Sequence, residues 1–482
     1  MSSGHFTRAM SLLDSTAIVV GSMIGSGIFI VSAETSRQLG APGWLLISWI
    51  AACLLTVIAA VCYSELSSMY PQAGGQYIFL RQAYGPLAGF LYGWTLFAVI
   101  QCGTIAAVAV AFAKFLGVFV PFVSMSNILV QFGGWKFTAL QMVALVVIGV
   151  LTAINCRGIK TAKLIQTTFT VTKVSAIALL IVLGGLALNS HHGQAVNFGA
   201  DFWNARDLKG EVLSGWQLIA VLALAMVGPL FASDAWNNIT FAGEEVINAE
   251  KTLPRSLIYG TLLVGTLYLL TNLVYLLILP MHGQATDPTV VGRGIQFAAE
   301  DRVGTAVAEI IFGPVGEQIM AIAIMISTFG ALNGVILSGP RAYYAMAKDG
   351  LFFKAAAVID AKTSVPVFGL IIQGIWAGIL TTTGTYSNLL EYVVFAALLF
   401  YVLTVAAILV LRRKEPNLHR PFKVPGYPYL PLFYIIAAST IMVGQICMSW
   451  KFSGASLLII LSGYPAYLFW HRKMKAEDPA SP

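Results

Sequence analysis

The sequence predicts an all-α integral membrane protein of twelve transmembrane helices, and two observations carry that expectation. Of 482 residues, 58% are hydrophobic and 10% are charged, with mean hydropathy +0.80. An ordinary soluble domain has roughly 25% charged residues and needs a polar skin. The apolar residues also gather in charge-free runs, most of them long enough for the about 20 residues that a helix needs to cross hydrocarbon. This composition excludes a soluble enzyme, a disordered chain and a fibre. The net charge of +7 does not indicate nucleic acid, because the basic residues are scattered between the runs and form no polar face.

Charge-free runs lie at 15–33, 38–64, 82–113, 115–135, 137–156, 174–200, 212–233, 256–286, 318–340, 363–390, 392–411, 424–450 and 452–471. The run 115–135 is the weakest. It holds Pro121, Ser124, Ser126, Asn127 and a Gly133-Gly134-Trp135 break, so it reads as a loop with an interfacial piece. Twelve spans remain. With the N-terminus inside, 19 of the 28 Lys and Arg fall in cytoplasmic segments and 8 in outer ones, and Lys173 lies within the fifth span. That asymmetry is the positive-inside rule, and counting 115–135 as a span would reverse it for every later loop. Both termini are therefore expected in the cytoplasm and the protein in the cell membrane. No cleavable signal peptide is evident, since residues 1–10 are short and polar.

Along the chain, a tail (1–12) precedes the first span, in which Gly21-Ser22-Met23-Ile24-Gly25-Ser26-Gly27 puts small residues near mid-membrane. Such residues serve either a helix-packing face or an interruption. The second span ends at Glu65, which is expected to pair with Arg81 or another loop cation. The fifth span contains Lys173, ten residues past Lys163. At 1.5 Å per residue that is about 15 Å into the membrane, so snorkelling to the interface is strained. The sixth span carries Gly228-Pro229 and then Asp234 at membrane depth, where a carboxylate usually faces a cavity or a partner.

Spans one and six are thus both interrupted, five spans apart. Inverted-repeat transporters have that pattern. The expected division is a first repeat over 13–190, a second over 191–413, two further helices over 414–472 and a tail over 473–482. An unwound helix leaves N–H groups at one broken end and C=O groups at the other. The N–H groups suit a carboxylate and the carbonyls suit an ammonium. An amino-acid zwitterion has both, although a small organic cation or an inorganic ion fits the carbonyls as well.

Four segments give a resemblance: GSMIGSGIF at 21–29, FASDAWNNITFAGEEVINAEKTLPRSL at 231–257, LSGPRAYYAMAKDG at 337–350 and RRKEPNLHRPFKVPGYP at 412–428. In this order, over about 12–430, they resemble the amino acid–polyamine–organocation superfamily and look closest to its L-type amino acid transporters. The resemblance implies a LeuT-type 5+5 inverted repeat with helices 1 and 6 broken and two extra C-terminal helices. It implies sodium-independent amino acid transport by alternating access. By the same resemblance, main-chain N–H groups of Gly25, Ser26 and Gly27 bind substrate carboxylate. Carbonyls of Met23, Phe231 and Asp234 take the amino group, Phe231 gates the site, and Asn237 is a polar residue beside the break. Lys173 stands where sodium-coupled relatives hold sodium, with Ser327 or Thr328 as its partners.

Asp234 departs from the small residue often found at its position. It favours cationic substrates, carries a proton, or caps the following half-helix. Two modes stay open, exchange and proton-coupled symport, and the alternative substrate class is a cationic amino acid or polyamine. No Cys lies between spans three and four, so no disulfide-linked heavy chain is expected. The six His have no metal-ligand spacing and no phosphate loop is present, so neither metal nor cofactor is expected. Glu244-Glu245 with Lys251 and Arg255 reads as either a solvated loop or part of an inner gate. A membrane-embedded enzyme would want clustered polar groups at depth, and only Asp234 and Lys173 are deep.

Overall fold

In lipid, a backbone must satisfy its own polar groups, so each apolar run becomes a helix whose ends need caps. The computed structural model describes residues 8–187, 191–383 and 386–477. Residues 1–7 of the expected tail, 188–190 closing the first repeat, 384–385 in the expected ninth span and 478–482 of the last tail lie outside the described residues. So do the side chains at 159–167, 386–388 and 474–477.

The first span is two helices, α1 (Leu12–Met23) and α2 (Gly27–Leu39). Ser11 and Asp14 form a capping box at the start of α1, and Gly40 in the left-handed region ends α2. α3 (Pro42–Met69) starts with Pro at its first position. α4 (Gln76–Tyr84) leads to a third span made of α5 (Pro86–Thr95), a π turn at Leu96–Ile100 and α6 (Gln101–Leu116).

The segment expected to be a loop contains a hairpin of β1 (Ile128–Phe132) and β2 (Trp135–Thr138), an antiparallel pair closed at Phe132–Trp135 by Gly133 and Gly134. Gly133 has φ +57°, as a two-residue hairpin turn requires. Thr138 then caps α7 (Ala139–Cys156), which is followed by α8 (Ile159–Leu186) and α9 (Gln194–Asn197).

The sixth span is broken into α10 (Gly215–Ala225), α11 (Val227–Ala232) and a single turn, α12 (Asn238–Phe241). After it come α13 (Ala249–Ile278), α14 (Val290–Arg293), α15 (Val303–Phe312) and α16 (Pro314–Lys348). The chain closes with α17 (Val367–Thr381), α18 (Tyr386–Lys414), α19 (Tyr429–Met448) and α20 (Trp450–Glu477).

Among the described residues, eleven helices are long and apolar enough to cross a membrane. The expected ninth span corresponds to α17, which has 15 residues. That is about 22 Å, against about 30 Å of hydrocarbon. It stops where Thr381, Thr382 and Thr383 turn their hydroxyls onto carbonyls of the last turn, at 2.8–2.9 Å. α1 packs on α13, α8 and α16; α3 packs along α13; α6 and α8 flank α16. α11 lies against α2, α3 and α18, so the two interrupted spans meet inside the bundle.

Candidate functional site

α1 ends at Met23, Ile24 is extended, and α2 restarts at Gly27. The carbonyls at the end of α1 therefore lack helical partners. Three side chains from elsewhere meet them. Lys173 Nζ of α8 donates to Gly21 O at 2.7 Å and Ile24 O at 2.8 Å. Ser327 Oγ of α16 donates to Ile24 O at 3.2 Å. The Tyr268 hydroxyl of α13 lies 2.9 Å from Met23 O and 3.1 Å from Ala232 O, so one proton serves both breaks. Lys173 is 1% exposed and lies at the negative end of the α1 dipole. Its expected partner Ser327 shares the Ile24 carbonyl with the ammonium. Thr328 turns away to Ile324 O and Met325 O on its own helix.

The opposite side of the break is the start of α2, where Gly27 and Ile28 have no carbonyl one turn behind them. Gly27 is also where the two interrupted helices touch. A β-carbon there would lie 2.6 Å from Ala232 Cβ and 2.8 Å from Ala232 Cα, so only glycine permits the approach. Beyond Ala232 the backbone unwinds through Ser233–Asn237, with Ala235 at φ +64°.

Asp234 accepts a hydrogen bond from the Tyr401 hydroxyl of α18. Asn237 Nδ2 donates to Gln76 Oε1 at 3.1 Å, and Gln76 Nε2 donates to Thr404 Oγ1 at 2.9 Å. Two cavities of about 350 Å³ each adjoin this stretch. One is bordered by Gln76, Tyr92, Gln101, Thr104, Asn237 and Asn238; the other by Thr56, Ser233, Trp236 and Tyr434. Asp234 and Tyr401 border both. Both cavities are nearly closed, with room for little more than a water molecule. The π turn aims Leu96 and Ile100 at the first cavity. Met23, Gly25, Ser26, Gly27 and Phe231 border neither cavity; all are buried, Phe231 at 7% exposure. Of the expected substrate residues, then, Asp234 and Asn237 border these small cavities while the glycine segment is packed shut.

A third cavity, about 690 Å³, lies at the start of α11, between Val31, Glu34, Val227, Gly228, Asp301 and Glu391. Arg37 bridges Asp301 at 2.8 Å and Gln296 O at 2.6 Å at that end. At the opposite end, Glu245 pairs with Arg341 of α16 at 2.9 Å, the two side chains being 3% and 2% exposed. Of the group expected with Lys251 and Arg255, Glu244 and Lys251 border one open cleft, as the solvated-loop alternative has it, while Glu245 turns inward to Arg341. Glu65 does not pair with Arg81, which is bound to Asp349 at 2.7 Å. Glu65 is held by Arg412 at 2.6 Å and Arg420 at 3.5 Å. The five Cys are free, and no metal-capable cluster occurs among the described residues.

Sequence reasoning missed Tyr268, Tyr401, Gln76 and Gln101. A tyrosine or glutamine in an apolar helix carries no local mark of the carbonyl or carboxylate it will meet from a distant element.

The signature described as amino acid permease matches residues 10–461. The chain belongs to this family. It is an L-type-like member of the amino acid–polyamine–organocation superfamily, a transporter and not an enzyme. It is 29% identical over 476 residues to the large neutral amino acids transporter small subunit 2 of Oryctolagus cuniculus, covering 97% of this chain and 82% of that protein. It is 28% identical to the b(0,+)-type amino acid transporter 1 of Mus musculus, covering 96% and 88%. It is also 28% identical to the serine/threonine exchanger SteT of Bacillus subtilis, covering 98% of each.

Proposed function

We propose that this chain is a sodium-independent secondary transporter of L-amino acids, mainly neutral ones, that works by alternating access in the cell membrane with both termini cytoplasmic. Two five-helix repeats, over 13–190 and 191–413, contribute the broken first and sixth spans, and α17 serves as the ninth of twelve crossings. One observation carries the reading: the Lys173 ammonium is fixed on Gly21 O and Ile24 O, at the broken end of α1. A fixed cation there removes the need for a bound sodium ion. Substrate carboxylate would be met by the N–H groups of Gly25, Ser26 and Gly27, and its amino group by the carbonyls of Met23, Phe231 and Asp234, once the packed segment opens. The names of the relatives support neutral amino acids and exchange. The chain works without a disulfide-linked heavy chain, since no Cys lies between α6 and α7.

The test is uptake of labelled alanine, leucine and arginine into sodium-free proteoliposomes, empty or loaded with amino acid, with and without an inward proton gradient. Uptake that needs internal amino acid identifies an exchanger; uptake into empty vesicles that follows the proton gradient identifies a symporter. Lys173→Ala should lower the initial rate more than about tenfold, which corresponds to 1.4 kcal/mol, while folded protein is retained. Full activity of that variant in sodium-free buffer would overturn the role of the lysine.

A second reading, a cationic amino acid or polyamine carrier, is favoured by Asp234, because no Lys, Arg or His borders either cavity that it faces. Asp234→Asn should then abolish arginine uptake and spare alanine. Equal loss of both would assign the carboxylate to the common site.

A further inference from the structure

The β1–β2 hairpin takes no part in the site, yet it is strongly apolar and exposed. Phe132 at its turn is 83% exposed and Val130 53%, and Phe122, Ile128 and Trp135 are exposed beside them. Residues 115–138 contain no acidic group and a single cation, Lys136. In water such a hairpin would be an edge-to-edge aggregation hazard.

Its tethers keep it at the membrane. α6 ends at Leu116, and Thr138, the last residue of β2, is itself the N-cap of α7. Trp135 Nε1 donates at 3.1 Å to Thr382 O, one residue past the end of α17. α7 and α17 pack on one another and have 18 and 15 residues. They span about 27 and about 22 Å against about 30 Å of hydrocarbon. The hairpin thus lies at one end of these two neighbours, of which α17 is the one too short to count among the eleven membrane-length helices, continuous with their exposed faces at Met142, Val146, Ile375 and Ile379. Trp135 stacks on Phe137 at 6.0 Å with Lys136 between them in sequence. Aromatic and basic residues of this kind gather at headgroup level.

We propose that this hairpin is a phospholipid-binding surface: its apolar side chains lie in the headgroup–acyl boundary above α7 and α17, and Lys136 meets lipid phosphate. The outer backbone edges of the two strands set its depth. They need water or headgroups, so the hairpin stays in the interface and does not enter the hydrocarbon.

The test uses the full chain in phosphatidylcholine vesicles, with the exposed Cys447 replaced by Ala and a nitroxide placed at Phe132→Cys. Its collision rates with oxygen and with a water-soluble nickel complex are compared with those at Lys209→Cys, an exposed loop position. Oxygen should dominate at 132 and nickel at 209. Nickel dominance at both positions would overturn the proposal. So would protection from both reagents at 132 together with a short 132–132 distance, because a second copy of the chain would then cover the hairpin. A thermal transition equal to the parent's verifies the fold. The readout is lipid contact and not flux, so it stands or falls separately from the transport reading.

Discussion

Contact between the interrupted helices depends on Gly27. A methyl group there would meet Ala232 at 2.6 Å, inside any carbon–carbon contact distance, and the contact includes backbone that cannot swing aside. Gly27→Ala should therefore separate α2 from α11 and lower the amino acid uptake rate at least about tenfold, about 1.4 kcal/mol. Adding Ala232→Gly removes one of the two clashing carbons and should restore part of the rate. Parental uptake by Gly27→Ala alone would mean that the two breaks need not touch. The stretch of three Gly and two Ser near mid-membrane was legible as a packing face or an interruption, and only the matching oddity in span six favoured the second. Tyr268 was not: its hydroxyl spans Met23 O and Ala232 O, and neither acceptor exists until two remote helices have both come apart. The same holds for Tyr401, which reads as a belt aromatic until Asp234 is brought to it.

At the scale of elements, the loop between α18 and α19 is wound around the end of α3. Arg412 forms a two-pronged pair with Glu65, at 2.9 and 2.6 Å, under the Tyr427 ring at 3.8 Å. Val424 N donates to the same carboxylate at 2.8 Å. Removing one partner of a buried pair leaves the rest uncompensated, at a cost of about 3 kcal/mol. Glu65→Gln should thus lower the thermal transition in detergent by several degrees, and Arg412→Lys should do so less, since it keeps the charge and loses the fork. A Glu65→Gln transition within a degree of the parent's would show the bracket to be dispensable. Span positions could be read because burial in lipid demands a length and a composition that the chain carries locally. Pairing partners could not, because Glu65 and Arg412 are 347 positions apart and every basic loop residue was an equal candidate. The β-hairpin was missed for a related reason. Pro121, Ser124, Ser126, Asn127 and the Gly133-Gly134 turn marked it as something other than a span, but nothing local shows which residues pair across the turn.

For the whole molecule, what is closed matters most. The glycine segment and Phe231 are packed shut, and each end is tied. One tie is formed by main chain. Ala9 N and Met10 N donate to Glu245 O at 2.9 and 3.0 Å, and Ile247 N donates to Met10 O at 2.9 Å. The segment before α1 is thus held as a short parallel bridge, Met10 to Val246, against the chain that follows α12. It lies beside the buried Glu245–Arg341 pair, so the ends of both interrupted spans are fastened together at this face. If alternating access opens this face, the bridge must part. Bridged residues on adjacent strands have α-carbons about 5 Å apart, within the range of a disulfide. A Met10→Cys/Val246→Cys variant, with Cys447 replaced by Ala, should therefore lose amino acid uptake on oxidation and regain it on reduction, with substrate binding retained in the locked form. Uptake that continued with the disulfide formed would mean that this face opens elsewhere. The bridge would then be a fixed anchor, and the moving parts would have to be sought between α12 and α16.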